Sequence, residues 1–342
     1  MLEPGRSRQA AIRGFMILVC GGAGYIGSHM VRALLSRGEA VAVADNLQTG
    51  HIQALPPEAL FFQGDLRDPD FMDRVCREAA PEAVIHFAAN SQVGESMLDP
   101  LKYFNNNLHG TEVLLSAMVR GGVRLIVFSS SAAVYGEPDK TPLTESDPAA
   151  PTNPYGETKL AMEKMMKWTA AAHGLKFVSL RYFNVAGASP DGLIGEDHRP
   201  ESHLIPLVLL TALKKRAGLD IFGDDYDTPD GTCLRDYVQV SDLAEAHLLA
   251  LDHLRRGGAS EIYNLGGDRG FSVREVIRAA EEVTGLAIPA RVVPRRPGDP
   301  ARLVADSAKA RRDLGWRPRF TRIEDIIQTA WNWHRNHPDG WA

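Results

Sequence analysis

The sequence predicts an α/β fold, in which a doubly wound parallel sheet is followed by a smaller C-terminal α/β lobe. From Met16 to about Phe183, apolar runs of strand length alternate with segments of helical periodicity. This alternation is typical of a parallel sheet with helices on both faces. A glycine-rich turn follows the first apolar run, and beyond Phe183 short strands separate longer helices. These observations together favour one large α/β unit with an appended lobe.

Length, charge and cysteine content limit the class of protein. The 342 residues can bury a large core, and the net charge of −5 gives no basic face that would bind nucleic acid. The cysteines, Cys20, Cys76 and Cys233, have no metal-ligand spacing and are odd in number, which predicts a reducing, cytoplasmic compartment and no metal site. No apolar run reaches the roughly 18 residues of a membrane span, so no membrane contact is predicted.

A glycine-rich turn joins the first strand, Met16–Cys20, to an amphipathic helix. Glycines at Gly21, Gly24 and Gly27 let the backbone approach a pyrophosphate, and the helix N-terminus presents N–H groups to it. This is the context of a Rossmann-type dinucleotide site. Asp45 ends the second strand, where a carboxylate accepts from the adenosine ribose and repels a 2′-phosphate. The pattern therefore predicts NAD rather than NADP.

Three further strands are followed by small or polar residues. They are Leu60–Phe62 before Gly64-Asp65-Leu66, Ala83–Phe87 before Ala88-Ala89, and Leu125–Phe128 before Ser129-Ser130-Ser131. Ligands of open α/β sheets bind at these carboxyl ends.

A helix-length segment between the last two of these strands, about Pro100 to Gly121, carries Asn105, Asn106 and Asn107 near its start. Consecutive asparagines usually cap or turn a chain. A contact between Asn106 and a cofactor stays open as the alternative.

Tyr155 and Lys159 open a helix predicted after a proline-rich loop. A spacing of four places both side chains on one helix face. Lowering a phenol pKa from about 10 to about 7 needs about 4 kcal/mol. An ammonium about 4 Å away, at an effective dielectric of about 20, supplies a similar amount. The pair is therefore predicted to move protons at neutral pH.

Beyond Phe183 the sequence predicts a smaller set of elements. The predicted helices are about Leu204–Ala217, Ser241–Leu254, Val273–Val283 and Ile323–Trp333. The predicted strands lie near Leu219–Phe222, Tyr237–Val240, Ile262–Asn264 and Arg291–Val293.

Taken together, these motifs resemble the extended short-chain dehydrogenase/reductase family, and within it the nucleotide-sugar 4-epimerases. The resemblance runs from about Met16 to the end of the chain. The motifs that carry it are Gly24-Tyr25-Ile26-Gly27-Ser28-His29, Asp45-Asn46-Leu47, His86-Phe87-Ala88-Ala89, Ser129-Ser130-Ser131, Tyr155-x-x-x-Lys159, Arg181-Tyr182-Phe183-Asn184, Phe222-Gly223, Arg235-Asp236-Tyr237 and Arg295-Arg296-Pro297-Gly298-Asp299.

The resemblance implies an NAD-dependent enzyme that interconverts UDP-glucose and UDP-galactose through a 4-keto sugar. The N-terminal residues show neither periodicity nor an apolar face, so residues 1–15 are predicted to be a disordered extension. The resemblance implies an NAD-binding Rossmann domain at 16–183 and a lobe at 184–342 that mainly binds the nucleotide sugar. It implies the catalytic residues Tyr155, Lys159 and Ser131. The implied cofactor-binding residues are Gly21, Gly24, Tyr25, Ile26, Gly27, Asp45, Asn46, Asp65, Leu66, Phe87, Ala88, Ala89, Ser91, Asn106, Tyr155, Lys159 and Phe183. The implied substrate-binding residues are Ser131, Tyr155, Asn184, His203, Leu204, Phe222, Arg235, Arg296, Asp299 and Leu303.

Four positions depart from the family pattern. Cys20 replaces a threonine, Ser91 replaces a lysine beside the nicotinamide, and His203 replaces an asparagine that touches the substrate. Leu303 stands where selective enzymes often have a tyrosine that limits sugar size. Because leucine is shorter, we hypothesise that UDP-N-acetylhexosamines also enter the pocket.

Three other functions remain open. A 4,6-dehydratase needs an acid pair beside the serine, whereas Ala132 and Ala133 follow Ser131. A uronate 4-epimerase or a decarboxylase would use Arg235 or Arg296 for a sugar carboxylate, and a pentose 4-epimerase is a further alternative of the same family. A non-catalytic NAD-binding sensor would not need the intact catalytic set.

The helices near 100–121 and 155–174 are apolar, and with the resemblance they predict a homodimer through a four-helix contact.

Overall fold

The computed structural model describes residues 16–296 and 299–341. The predicted disordered extension at residues 1–15, and the Pro297-Gly298 pair of one motif, lie outside them. Two compact units divide the chain. Unit 1 comprises Met1–Ser130, Asn153–Leu180 and His247–Ile262, and unit 2 comprises Ser131–Thr152, Arg181–Ala246 and Tyr263–Ala342. The predicted domain boundary after Phe183 stays a prediction.

The β-strands are numbered in chain order. They are β1 Met16–Cys20, β2 Ala40–Asp45, β3 Leu60–Gln63, β4 Ala83–His86, β5 Leu125–Ser131, β6 Lys176–Tyr182, β7 Asn184–Ala186, β8 Leu219–Phe222, β9 Leu234–Gln239, β10 Glu261–Leu265, β11 Gly270–Ser272, β12 Ala290–Val293 and β13 Arg302–Leu303.

The α-helices are numbered in the same way. They are α1 Tyr25–Ser36, α2 Pro69–Ala79, α3 Val93–Leu98, α4 Pro100–Tyr103, α5 Gly110–Gly121, α6 Pro154–His173, α7 Leu204–Ala212, α8 Val240–Arg255, α9 Val273–Thr284, α10 Ala308–Asp313 and α11 Ile323–Asn336.

A seven-stranded sheet in the order β10-β6-β5-β4-β1-β2-β3 forms the main layer. The pairs β1–β2, β1–β4, β2–β3 and β4–β5 are all parallel. Strand order reverses between β4 and β1, and ligands of doubly wound sheets bind outside the carboxyl ends of the strands at such a point. The predicted α/β fold class is confirmed, and its glycine-rich turn lies at this switch point.

Unit 2 contains two small sheets. One has the order β11-β9-β13, with β7 also paired to β9, and the other pairs β12 with β8. Helices α7, α9 and α11 bury their apolar residues against these strands, for example Val208, Val276 and Ile327. The sheets place Arg235 of β9 beside Leu303 of β13, since these two residues are register partners.

Several predicted elements differ in extent. β5 continues to Ser131, so the three serines end the strand rather than follow it. α7 ends at Ala212 instead of Ala217, because Lys214 adopts a left-handed φ of 59° that an α-helix cannot continue through. The segment predicted as one helix from Pro100 contains a π-helical stretch, Phe104–His109, which holds the three asparagines. Among the described residues, no helix has the length and apolar character of a membrane span.

Candidate active site

The glycine-rich turn is so tight that two positions exclude any side chain. Gly21 has a φ of 80°, and a Cβ there would lie 2.6 Å from the backbone nitrogen of Ala88. A Cβ at Gly27 would lie 2.1 Å from the Gly21 carbonyl oxygen. Gly24, the N-cap of α1, brings no capping side chain. The backbone is thereby open to a phosphate at the N-terminus of α1, where Tyr25 begins the first turn.

Asp45 ties this turn to the end of β2. Its Oδ2 accepts a hydrogen bond from Ala23 N at 2.9 Å, and its Oδ1 accepts one from Leu47 N at 2.8 Å. Burial raises the pKa of Asp45, and the two N–H donors oppose that shift. Both oxygens accept from backbone donors, so we take the carboxylate form as the native one. The carboxylate predicted to bind the adenosine ribose thus also shapes the turn.

Two other predicted cofactor residues lie next to each other. Asn46 Nδ2 donates to Asp65 Oδ2 at 3.2 Å. Arg67 forms a bidentate pair with the same carboxylate, at 2.9 Å from Nε and 2.7 Å from Nη2, and holds the pKa of Asp65 well below its usual range. Arg67 was not among the residues predicted from the sequence. Leu66, which lies between Asp65 and Arg67 in the sequence, is buried.

The residues after β4 pack against the first strand. The N–H groups of Phe87 and Ala88 both donate to the Cys20 carbonyl oxygen, at 2.8 and 3.0 Å. The Phe87 ring lies 4.8 Å from the His247 ring, centroid to centroid. Ala89 is half-buried, and Ser91 is exposed. This segment therefore forms one wall beside the glycine-rich turn.

The asparagine run organises the site by a contact that the sequence analysis missed. Asn107 is 1% exposed; its Oδ1 accepts from Asn90 N at 2.8 Å, and its Nδ2 donates to Thr158 Oγ1 at 2.9 Å. Asn106 Nδ2 donates to Asn107 Oδ1 at 3.0 Å. The buried Asn107 thus joins the segment after β4 to the helix of the Tyr/Lys pair. The three consecutive asparagines were the available signal.

Tyr155 and Lys159 lie one helical turn apart near the start of α6, as their spacing predicts. Lys159 Nζ is 5.8 Å from the centroid of the Tyr155 ring and 5.0 Å from that of Phe128. Nζ donates to the Ser129 carbonyl oxygen at 2.8 Å. Burial lowers the pKa of Lys159 to about 7, and the Glu163 carboxylate opposes that shift. The lysine therefore changes charge near neutral pH, beside the Tyr155 ring.

Ser131 ends β5, in unit 2 of the chain. Its Oγ accepts from Ala133 N at 3.2 Å. A buried polar network follows it: Tyr135 donates from its hydroxyl to Asn264 Oδ1 at 2.7 Å, and Arg181 Nη1 donates to the Tyr135 hydroxyl at 3.0 Å. This network fixes the turn that begins at Ser131.

Five predicted substrate residues fall into one group in unit 2. Arg235 pairs with Asp299 through Nη2 and Oδ1. Arg296 places its guanidinium 3.8 Å from the centroid of the Phe222 ring, and its carbonyl oxygen accepts from Asp299 N at 3.4 Å. Leu303 is the register partner of Arg235. Two arginines, an aromatic face and a carboxylate can together recognise a nucleoside diphosphate.

Three more predicted substrate residues, Asn184, His203 and Leu204, lie elsewhere in unit 2. Asn184 begins β7 and is exposed, and Phe183 before it is buried. His203 is the N-cap residue of α7, which Leu204 begins. Among the described residues, neither Asn184 nor His203 hydrogen-bonds to Arg235.

Comparisons with known proteins identify relatives over almost the whole chain. The model of the NAD dependent epimerase/dehydratase family matches residues 17–266. A UDP-glucose 4-epimerase of Lacticaseibacillus casei is 58% identical over 326 residues, which cover 95% of this chain and 98% of that protein.

Solved structures give the same result. A crystal structure of a UDP-glucose 4-epimerase superposes with a TM-score of 0.94 at 56% identity, covering 96% of this chain and 99% of that one. The UDP-glucose 4-epimerase of Bifidobacterium longum, solved in complex with NAD+ and UDP, has a TM-score of 0.91 at 41% identity and covers 95% and 100% of the two chains.

Proposed function

The chain belongs to the NAD dependent epimerase/dehydratase family, and from that membership we propose that it interconverts UDP-glucose and UDP-galactose by reversible oxidation at the sugar C4. The observation that carries this function is the Tyr155/Lys159 pair, buried and one turn apart at the start of α6, in a chain 58% identical to a UDP-glucose 4-epimerase. Because the hydride returns to the same carbon, the cofactor ends the cycle oxidised and no second substrate is required.

NAD is the cofactor, and the described residues fit it. There is no room for a Cβ at Gly21 or Gly27. Because neither residue carries a side chain, the backbone of the turn is open to a pyrophosphate at the start of α1. Asp45 would hold the adenosine ribose; Asn46 follows it in the sequence, and Asn46 Nδ2 donates a hydrogen bond to Asp65 Oδ2. The nicotinamide ring, when bound, supplies the hydride acceptor and donor.

Tyr155 and Lys159 supply the proton chemistry in this proposal. Tyr155, as phenolate, takes the proton of the sugar 4-hydroxyl, and the nearby Lys159 ammonium stabilises the phenolate form. Ser131 donates or accepts a hydrogen bond at the same hydroxyl. Lys159 would also bond the nicotinamide ribose.

The Arg235 group is the proposed site of UDP. Arg235 and Arg296 supply forked donors for the diphosphate, Phe222 offers a face to the uracil ring, and Asp299 accepts from the uridine ribose. The cation–π contact of Arg296 with Phe222 supports this assignment, because it keeps the donor next to the aromatic face. His203, Leu204 and Asn184 are proposed to bind the sugar end.

Leu303 extends the proposed substrate range to UDP-GlcNAc and UDP-GalNAc. Its side chain is shorter than the tyrosine of selective enzymes and leaves room for an N-acetyl group. Turnover of UDP-GlcNAc below about a thousandth of that of UDP-glucose, both at saturation, would reject this extension.

We also propose that the protein is a homodimer through α5 and α6. These helices line a groove of about 580 Å³, and one of its lining residues, Trp168, is 72% exposed. Large exposed apolar side chains of this kind mark protein interfaces. The cysteines Cys20, Cys76 and Cys233 are free and buried, which supports a cytoplasmic location.

The test of the function is direct. Purified protein is incubated with UDP-glucose and then with UDP-galactose, and the sugar products are read by NMR. We expect the same equilibrium mixture from either side without added reductant. A 4-keto-6-deoxy product would show a dehydratase instead, and an unchanged sugar with bound NAD would show a non-catalytic sensor.

A further inference from the structure

A short segment ahead of α7 gathers two glutamates and two histidines, in the order Glu196, His198, Glu201 and His203. One donor atom from each of the four side chains lies within 4.8 Å of every other. The proposed epimerase chemistry uses none of them except His203, and the Glu-x-His-x-x-Glu-x-His spacing was not recognised in the sequence. We name these four residues the Glu/His cluster.

The distances within the Glu/His cluster match a metal coordination sphere. His203 Nδ1 is 2.6 Å from Glu196 Oε1 and 3.4 Å from Glu201 Oε1. His198 Nδ1 is 3.2 Å from Glu196 Oε1 and 3.9 Å from Glu201 Oε2. Ligands about 2.0–2.1 Å from a tetrahedral zinc are about 3.3–3.4 Å from one another. The observed separations lie on both sides of that value, so modest side-chain rotation would complete the sphere.

Glu196 is buried between the two imidazoles of the cluster. It is 3% exposed, and its Oε1 lies 2.6 Å from His203 Nδ1 and 3.2 Å from His198 Nδ1. His334 of α11 is 7% exposed, and its Nε2 has no hydrogen-bond partner among the described residues. The charges of Glu196 and Glu201 both act on His334, which places it near the same site. A buried nitrogen without a hydrogen-bond partner requires an explanation, and a bound cation beside it supplies one.

The surrounding contacts hold the ligands in place. Trp333 Nε1 donates to the Glu196 carbonyl oxygen at 3.1 Å. Glu201 Oε1 accepts from Ser202 N at 2.7 Å and from His203 N at 2.8 Å, which fixes its carboxylate. Outer contacts of this kind orient the ligands of metal sites.

We propose that the Glu/His cluster binds one divalent transition-metal cation, Zn²⁺ by the chemistry of its ligands. Imidazole favours zinc and related cations over magnesium or calcium, and carboxylate oxygens complete an N₂O₂ set. With neutral imidazoles the four side chains carry a charge of −2, which a divalent cation neutralises. The role is structural, since all four donors come from the protein.

The cation would tie down the segment that leads into α7. His203 is the N-cap residue of that helix, and Leu204 follows it. Both are proposed to bind the sugar. We therefore expect metal removal to raise the KM for the UDP-sugar more than it lowers kcat, and to leave the NAD content unchanged.

The test measures bound metal in full-length protein prepared without a polyhistidine tag. The holoenzyme is incubated with Zn²⁺ and desalted, and its metal is determined by inductively coupled plasma mass spectrometry. We expect about one zinc per chain. His198→Gln and Glu201→Gln should each retain much less zinc than wild type after the same desalting, because each loses one of the four ligands. His109→Gln is the matched control, because His109 also pairs with a glutamate, Glu112 at 3.2 Å, but outside the cluster.

A second measurement covers the case in which a variant fails to fold. Co²⁺ added to the wild-type protein should give visible d–d bands of four-coordinate intensity, which Zn²⁺ abolishes. Wild-type protein that holds less than about a tenth of an equivalent of zinc after loading overturns the proposal and leaves a metal-free ion-pair cluster. Full zinc content in both folded variants overturns it as well. Both results are independent of the proposed epimerase activity, because the metal content is measured without an activity assay.

Discussion

Lys159 donates a hydrogen bond from its Nζ to the carbonyl oxygen of Ser129, over 2.8 Å, at the end of β5. Burial lowers the pKa of this lysine to about 7. Both the ammonium and the neutral amine can donate this bond, the amine more weakly, so the side chain keeps this contact while its charge changes near neutral pH. The position of the lysine is thus set by the strand, and its charge is set by burial and by Glu163.

Replacing Lys159 with methionine should abolish activity and stabilise the fold at low pH. In the unfolded chain a lysine titrates near 10.4, and in the fold this one titrates at about 7. Between pH 7 and about pH 10.4 the unfolded state binds more protons than the folded state, so the stability of the wild-type protein rises with pH in this range. Below pH 7 the lysine is charged in both states, and the full cost of burying the ammonium is present. After subtracting the lost hydrogen bond to Ser129, we expect Lys159→Met to gain about 1–3 kcal/mol at pH 6.

Urea unfolding at pH 6 and pH 10, on samples matched in cofactor content, checks that expectation. The difference in unfolding free energy between Lys159→Met and wild type should shrink towards zero at pH 10, because Lys159 is neutral there in the folded wild-type protein. A variant that is less stable than wild type at pH 6 would contradict the cost assigned to the buried ammonium.

Replacing Tyr155 with phenylalanine should remove the base and retain the cofactor. The change deletes one hydroxyl and keeps the ring beside Lys159. We expect kcat to fall at least about a hundredfold, with bound NAD per chain unchanged. Product formation by NMR and the absorbance of released cofactor measure the two quantities. Wild-type turnover in this variant would place the base elsewhere, and lost NAD would show that the hydroxyl holds the cofactor instead.

The local parts of the site could be predicted because their geometry follows from spacing. The Gly21 to Gly27 turn and the Tyr155/Lys159 pair depend on neighbours within one turn or helix, and the structure forms both as expected. The parallel pairing of the main-sheet strands likewise follows from the alternation of strands and helices. Which of these residues touch ligands stays a prediction.

Contacts between distant positions could not be predicted. Asn107 and Thr158 are 51 positions apart and meet only because two helices pack together. The group of Arg235 and Asp299 depends on the pairing of short strands whose register the sequence does not specify. Arg67 was missed because an arginine near a carboxylate usually indicates a solvated pair.

Enlarging Leu303 should narrow the range of sugars. A tyrosine at this register partner of Arg235 would occupy the space proposed for an N-acetyl group. We expect Leu303→Tyr to reduce kcat/KM for UDP-GlcNAc by about tenfold or more, while UDP-glucose turnover stays within a few-fold. Leu303→Met is the control, since it conserves volume and should keep both activities. Equal loss of both substrates in the tyrosine variant would mean that this position does not select the sugar.

Placing a charge at Trp168 should dissociate the proposed dimer. The side chain is 72% exposed on α6 beside the groove formed with α5. An indole buried on association contributes about 2–3 kcal/mol, and a carboxylate in the same place would be left unpaired in an apolar contact. We expect Trp168→Glu to shift the mass measured by light scattering from dimer towards monomer. Leu286→Glu, at an exposed leucine of unit 2, should leave the mass unchanged. In a two-fold symmetric dimer both subunits carry the substitution, so two carboxylates would be placed in the interface. A Trp168→Glu protein that stays dimeric at micromolar concentration would move the interface away from these helices.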